Sequence, residues 1–258
     1  MKRIITILAS IVCLSICHEA DSQDTTHVQD AVYLVSDPQT ARWSYIETDS
    51  KGKHTATVYN SVEAIDGDGV NGSLKLLVEE VSVESPEDTV RSFMYYRFKD
   101  GEYMVDITEG FVEELLVSSI DSTIRQNGME VTEEVRKEVL EEVKSRLFNI
   151  SGEIRGIPRY PKVGKLPDYE FHFKFSIIST KVIGQERRIV GTERIQTEAG
   201  TFDCFILEET ITTKALMMKD VERIRAWYAY GIGLVKEITY DKKGNLISSM
   251  TLNKLRFN

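Results

Sequence analysis

The alternation of apolar and polar positions is clearest from Tyr169 to Ile178. Phe171, Phe173, Phe175 and Ile177 fall on one side, and His172, Lys174 and Ser176 on the other. A period of two with aromatic residues on one face predicts a strand half-buried against a core. Similar runs follow over 188–197, 202–212, 223–229, 234–240 and 246–255. The turn residues Glu198-Ala199-Gly200-Thr201 and Asp241-Lys242-Lys243-Gly244-Asn245 fall between them, which predicts an antiparallel meander. An earlier block, from about Ala31 to Ile107, has the same character. Its short β-branched and aromatic runs are broken at 49–52, 66–72, 85–88 and 99–101, and Asp100-Gly101 marks the tightest hairpin. Between the two blocks the period lengthens. Val112, Leu115, Leu116, Ile120 and Ile124 share one helical stripe, and Val131, Val135, Val139, Val143 and Leu147 share another, widened by Leu140 and Phe148. Asn127-Gly128 caps the first helix and Thr132 begins the second. The expected fold is mainly β, α+β by content. It is a single domain over 31–258, a curved antiparallel sheet or open barrel with a helical hairpin inserted at about 109–148.

The N-terminal residues do not belong to that domain. Lys2 and Arg3 precede an apolar run from Ile4 to Ile16 that is too short for a permanent membrane span. Residues 1–17 read as an export segment. Leu14-Ser15-Ile16-Cys17 resembles the lipobox of bacterial lipoproteins, with Ile16 departing from the small residue expected before the cysteine. Acylation at Cys17 anchors the protein in the envelope of a Gram-negative bacterium, because two or three buried acyl chains make attachment effectively permanent. Residues 18–30, rich in Asp, Glu, Ser, Thr and Gln, then form a flexible tether. The rival expectation is a cleaved signal and a soluble periplasmic protein.

Charge narrows the partners. The chain has 32 Lys+Arg against 41 Asp+Glu, a net charge of -9. Without Lys2 and Arg3 the exported part has 30 against 41, a net charge of -11. Nucleic acid and anionic membrane surfaces are poor partners for such a chain. With Cys13 and Cys17 in the export segment, Cys204 stands alone in the folded region, and its neighbours Phe205, Ile206 and Leu207 mark it as a buried thiol.

Motifs of sharper chemistry fail on context. Gly67, Gly69 and Gly72 spell GxGxxG, but Ser73 to Glu84 reads as strand where a nucleotide site needs a helix. Asp66, Asp68 and Asn71 lack the order of an EF-hand loop. His18, His27, His54 and His172 form no metal-ligand pair, and neither HExxH nor GxSxG occurs. Glu208 and Glu209, adjacent on a strand, point to opposite faces and cannot act together on one sugar ring. The sequence assigns no catalytic residue, no metal and no cofactor, and the expectation is that the protein is not an enzyme.

Three segments carry a resemblance to a known family. These are Tyr160-Pro161-Lys162-Val163-Gly164-Lys165-Leu166-Pro167-Asp168, then Gly191-Thr192-Glu193 through Ala199-Gly200-Thr201-Phe202-Asp203-Cys204-Phe205, then Trp227-Tyr228-Ala229-Tyr230-Gly231-Ile232-Gly233-Leu234-Val235-Lys236. Together they resemble the TapB-like family of exported envelope proteins, which is related to a domain of unknown function. The resemblance implies a curved antiparallel sheet or open barrel and supplies no catalytic residues. Gly200, Gly231 and Gly233 are expected at turns or sharp bends. Trp227, Tyr228 and Tyr230, with Phe171, Phe173 and Phe175, are the candidate ligand-contacting side chains.

Three functions fit these expectations. First is a non-catalytic lipoprotein that binds an envelope protein partner or takes part in surface assembly. Second is a carrier of a lipid or other apolar ligand, since a curved sheet under a helical hairpin resembles the lipoprotein-carrier architecture. Third, and least favoured, is an envelope hydrolase assembled from groups distant in sequence.

Overall fold

The computed structural model describes residues 41–67, 71–87, 89–99, 102–106, 132, 134, 148–158, 160–175, 178–215 and 218–256. In chain order the strands of the first block are β1 (Arg42–Asp49), β2 (His54–Gly67), β3 (Gly72–Ser82), β4 (Val90–Lys99) and β5 (Glu102–Val105). Short strands follow: β6 (Phe148–Gly152), β7 (Ile154–Arg155) and β8 (Gly164–Lys165). The second block comprises β9 (Tyr169–Phe175), β10 (Ile178–Thr197), β11 (Gly200–Ala215), β12 (Met218–Ala229), β13 (Gly233–Asp241) and β14 (Leu246–Arg256).

All belong to one 14-stranded sheet in the order β6-β9-β10-β11-β12-β13-β14-β1-β2-β3-β4-β5-β7, with β8 beside β10. Every pairing is antiparallel, and the two blocks join where β14 lies against β1. The path begins at β6 and ends at β7, strands separated in the chain only by Glu153. Residues 148–152 pair with β9, and the Glu153 amide donates to the Glu170 carbonyl at 3.0 Å. The chain then changes sides: Ile154 and Arg155 pair with β5, and the Gly156 amide donates to Tyr103 O at 2.8 Å. This switch brings the two edges of the sheet together into a nearly closed barrel, which leaves little unpaired edge.

The inner face follows the alternation. Leu74, Leu76 and Val78 of β3 face inward beside Met94, Tyr96 and Phe98 of β4, and all are buried. Tyr103 of β5 lies against Tyr96 and Phe98, with ring centroids 5.0 and 5.1 Å away. Trp43 and Tyr45 continue the core into β1, and the Tyr45 hydroxyl donates to the Leu234 carbonyl at 3.1 Å. The phenol thus keeps a polar partner inside an apolar interior.

The turns repeat one device. Asp49 accepts from the amides of Lys51 and Lys53 at 2.8 and 2.9 Å, and Asp241 from those of Lys243 and Asn245 at 2.7 and 2.9 Å. The same spacing closes β1 onto β2 and β13 onto β14. The glycine-rich stretch is another hairpin. Gly67 pairs with Gly72, and a Cβ on Gly67, whose φ is 102°, would sit 2.0 Å from Asn71 O. Glycine is required there by the turn itself.

The helical hairpin expected over 109–148 lies outside the described residues, except that Glu134 is helical and Phe148 is not. Phe148 opens β6, opposite Phe175, and Ile150 sits opposite Phe173. The period has already changed to two at Phe148, so it belongs to the sheet.

Candidate functional site

The site is built around an irregularity in β10. Gln185 pairs with Thr210 and Arg188 with Glu208, so Glu186 and Arg187 together face the single residue Glu209. This is a β-bulge, which re-aims side chains at the cost of regular pairing. Glu186 takes up the extra residue with a φ of 56°, among the described residues the only positive value outside glycine.

The bulge sends Arg187 into the barrel, where its side chain is 1% exposed. Its Nε donates to Glu209 Oε2 at 2.8 Å and Nη1 to Pro167 O at 2.9 Å. Nη2 donates to the carbonyls of Arg155 and Gly156 at 2.8 and 2.7 Å. The guanidinium also lies 4.9 Å from the Tyr169 ring centroid. One side chain therefore ties β11, the turn before β9 and the segment that closes the barrel. Burial raises the Glu209 carboxyl above its ordinary pKa, and the attraction of Arg187 opposes that shift.

On the outer face the same strands form an open cleft of about 1050 Å³. Register places Lys165, Arg188, Glu208 and Arg225 in one row across β8, β10, β11 and β12. Gln185, Thr210, Arg223 and Tyr240 form the neighbouring row across β10 to β13. Glu208 is shared: Oε2 accepts from Arg188 Nη2 at 2.8 Å, and Oε1 lies 3.4 Å from Arg225 Nη1. Glu186 Oε2 accepts from the Thr210 hydroxyl at 2.9 Å. The Arg225 guanidinium also sits 5.3 Å from the centroid of Trp227, whose indole donates to Glu193 at 2.8 Å.

The structure distributes the aromatic residues singled out from the sequence. Phe171 and Phe173 are core residues of β9, and Phe175 pairs with Phe148 and Ile178. Trp227 and Tyr228, both buried, point to opposite faces of the strand: Trp227 donates to Glu193, whereas Tyr228 stacks on Phe205 at 6.0 Å. Tyr230 is 47% exposed beside Phe205. The five whose side chains are described, Phe171, Phe173, Trp227, Tyr228 and Tyr230, are not gathered into one pocket. Gly200 opens β11 directly after the β10–β11 turn, Gly231 lies in the β12–β13 turn, and Gly233 opens β13. Cys17 lies outside the described residues.

Glu208 and Glu209 do face opposite sides of β11, as adjacent strand residues must. His172 is exposed, 3.2 Å from Glu170, and His54 hydrogen-bonds Ala56 O at 3.0 Å. Neither lines the cleft. Cys204 is buried, its Sγ donates to Phe202 O at 3.6 Å, and burial pushes the thiol up to about 12. The arginines of the cleft and the Arg187–Glu209 pair were not singled out from the sequence. The available signal was the unbroken polar run Gln185-Glu186-Arg187-Arg188 inside a strand that otherwise mixes apolar and polar positions. Such a run breaks the period of two and marks a bulge.

A nearly closed antiparallel barrel with a charged cleft on its outer wall is the class of protein that the geometry defines. Residues 165–252, which contain most of this wall, match the model of the DUF3108-like family. The fold is similar to that of a candidate lipoprotein from Parabacteroides distasonis, with 17% identity and a TM-score of 0.58, covering 91% of this chain and 100% of that one. It is also similar to a candidate exported protein of YmcC-like fold from Bacteroides fragilis, with 15% identity and a TM-score of 0.55, covering 85% of this chain and 96% of that one. At these identities the likeness is one of fold. No curated protein matches the chain in sequence.

Proposed function

We propose that this chain is a lipid-anchored, non-catalytic protein of the cell envelope whose barrel acts as a binding or surface-assembly module. The observation that carries the reading is the state of the carboxylates lining the cleft. Glu208 is held between Arg188 and Arg225, Glu186 accepts from Thr210, and Glu209 is locked inside by Arg187. Groups committed in this way suit recognition better than proton transfer, for which a base needs access to its substrate. The export segment, the lipobox ending at Cys17 and the similarity in fold to candidate lipoprotein and exported proteins support the envelope location. The TapB-like resemblance of 158–257 overlaps the matched DUF3108-like region and belongs to the same reading.

Metabolic labelling with an alkyne fatty acid, followed by membrane fractionation, tests it. Wild type is expected to be labelled and to sediment with membranes, and Cys17→Ala to lose both properties. Unchanged labelling of Cys17→Ala would overturn the lipid anchor.

A further inference from the structure

We infer that the outer cleft of β10–β13 is a binding site for an extended oligoanion, a ligand with phosphate or carboxylate groups repeated along its length. The inference deepens the binding-module reading and rests on it. The cleft is basic in a protein whose net charge is -9. Lys165, Arg188, Arg223 and Arg225 line it against the outward carboxylates Glu186 and Glu208.

The donors are under-used. Glu208 serves two guanidiniums at once, at 2.8 and 3.4 Å, so one positive charge of that trio is uncompensated. Arg223, exposed in the next row, makes no ion pair among the described residues, and Lys165 makes none either. The Nε of Arg225 is shielded from solvent without a hydrogen-bond partner. The rest of that guanidinium is open to the cleft, with the side chain 41% exposed and Nη1 only 3.4 Å from the shared Glu208, so its terminal nitrogens can take an oxyanion.

Spacing sets the size of the ligand. Arg223 and Arg225 are two residues apart on one face, about 7 Å, and Arg188 lies two strands from Arg225, about 10 Å. Glu208 already joins Arg188 to Arg225, so a ligand that also engages Arg223 and Lys165 needs anionic groups in series. The planar guanidinium fork favours oxyanions over halide ions. Tyr240, in the Arg223 row, adds a half-buried aromatic surface beside the charges.

The test is a calorimetric titration of the full-length protein in non-ionic detergent at low salt. The probes are tripolyphosphate, a galacturonate hexamer, inorganic phosphate, maltohexaose and phosphatidylglycerol vesicles. We expect saturable binding of at least one of the two oligoanions, about tenfold or more tighter than inorganic phosphate, with maltohexaose inert. Comparing tripolyphosphate with the hexamer assigns phosphate or carboxylate. Binding confined to vesicles would overturn the soluble oligoanion in favour of a lipid headgroup. Arg223→Gln with Arg225→Gln should weaken oligoanion binding about tenfold or more at an unchanged unfolding midpoint. Arg194→Gln, on the same sheet but outside the cleft and paired with Asp203, should not weaken it. No saturable binding, or equal losses in the cleft and Arg194 variants, would overturn the site. Labelling at Cys17 would be unaffected by that failure, so the lipid-anchored envelope reading stands or falls separately.

Discussion

Arg187–Glu209 and Arg188–Glu208 are made of the same two residue types, one step apart on the same two strands, and they have opposite roles. The first pair is 1% and 7% exposed and its arginine holds three backbone carbonyls besides the carboxylate. The second is 61% and 27% exposed, and its carboxylate is shared with Arg225. Inside, the dielectric is low and every donor needs an acceptor, so the arginine works as a staple for the barrel closure. Outside, water screens the pair and leaves the guanidinium available to a ligand. Burial, more than residue identity, separates structural from recognition chemistry here.

The largest expected effect comes from breaking the inner pair. Arg187→Met should lower unfolding free energy by about 3–5 kcal/mol, since it leaves a buried carboxylate and three carbonyls unpartnered. Urea denaturation checks this. Replacing both members, as Arg187→Met with Glu209→Leu, should recover much of the loss. The pH dependence has a defined sign. Burial already raises the folded pKa of Glu209, and removing Arg187 removes the opposing influence. A raised folded pKa gives stability that is present below the unfolded value and lost as pH rises. The deficit of Arg187→Met should therefore shrink as pH is lowered from 8 toward the carboxylate range. A deficit that grows on acidification would contradict the assignment.

The bulge comes next. Glu186 is left-handed at φ 56°, a conformation that penalises β-branched residues most. Glu186→Val should cost about 1–2 kcal/mol, and Glu186→Gly should be neutral or stabilising by less than about 1 kcal/mol. Equal urea midpoints for the two variants would remove the strain argument. The outer pair should matter less still. Arg188→Gln and Glu208→Gln should each change stability by under about 1 kcal/mol. Glu208→Gln should nevertheless strengthen oligoanion binding, because it frees two guanidiniums.

The smallest effect is on Cys204. With the thiol pushed up to about 12, the native protein should resist alkylation at pH 8 and react fully in urea. Its linkage is fully present below pH 9.0 and is lost toward 12. Rapid labelling of native protein would contradict its burial.

The sequence made some of this legible and hid the rest for identifiable reasons. The turns at Asp49 and Asp241 were readable because an aspartate accepting from amides two and four residues on is local chemistry. The alternation from Tyr169 to Phe175 was readable because one face is buried. Arg187 was not, because a charge in a strand reads as outward. Three of its four acceptors are carbonyls of Arg155, Gly156 and Pro167, which leave no mark in the residue pattern. The closure at Glu153 was hidden for the same reason: a switch of pairing partner is carried by the backbone. Trp227 and Tyr228 are expected from the sequence among the ligand-contacting side chains, but adjacency on a strand puts them on opposite faces. The arginines of the cleft come from two strands, Arg188 from β10 and Arg223 and Arg225 from β12, and only the register through β11 brings them into neighbouring rows.

The most direct test of this division is a pair of double-mutant cycles in urea, one on Arg187 with Glu209 and one on Arg188 with Glu208, using Met for Arg and Gln for Glu in both. We predict a coupling energy of about 3 kcal/mol or more for the inner pair and below about 1 kcal/mol for the outer pair. Comparable couplings in the two cycles would contradict the account.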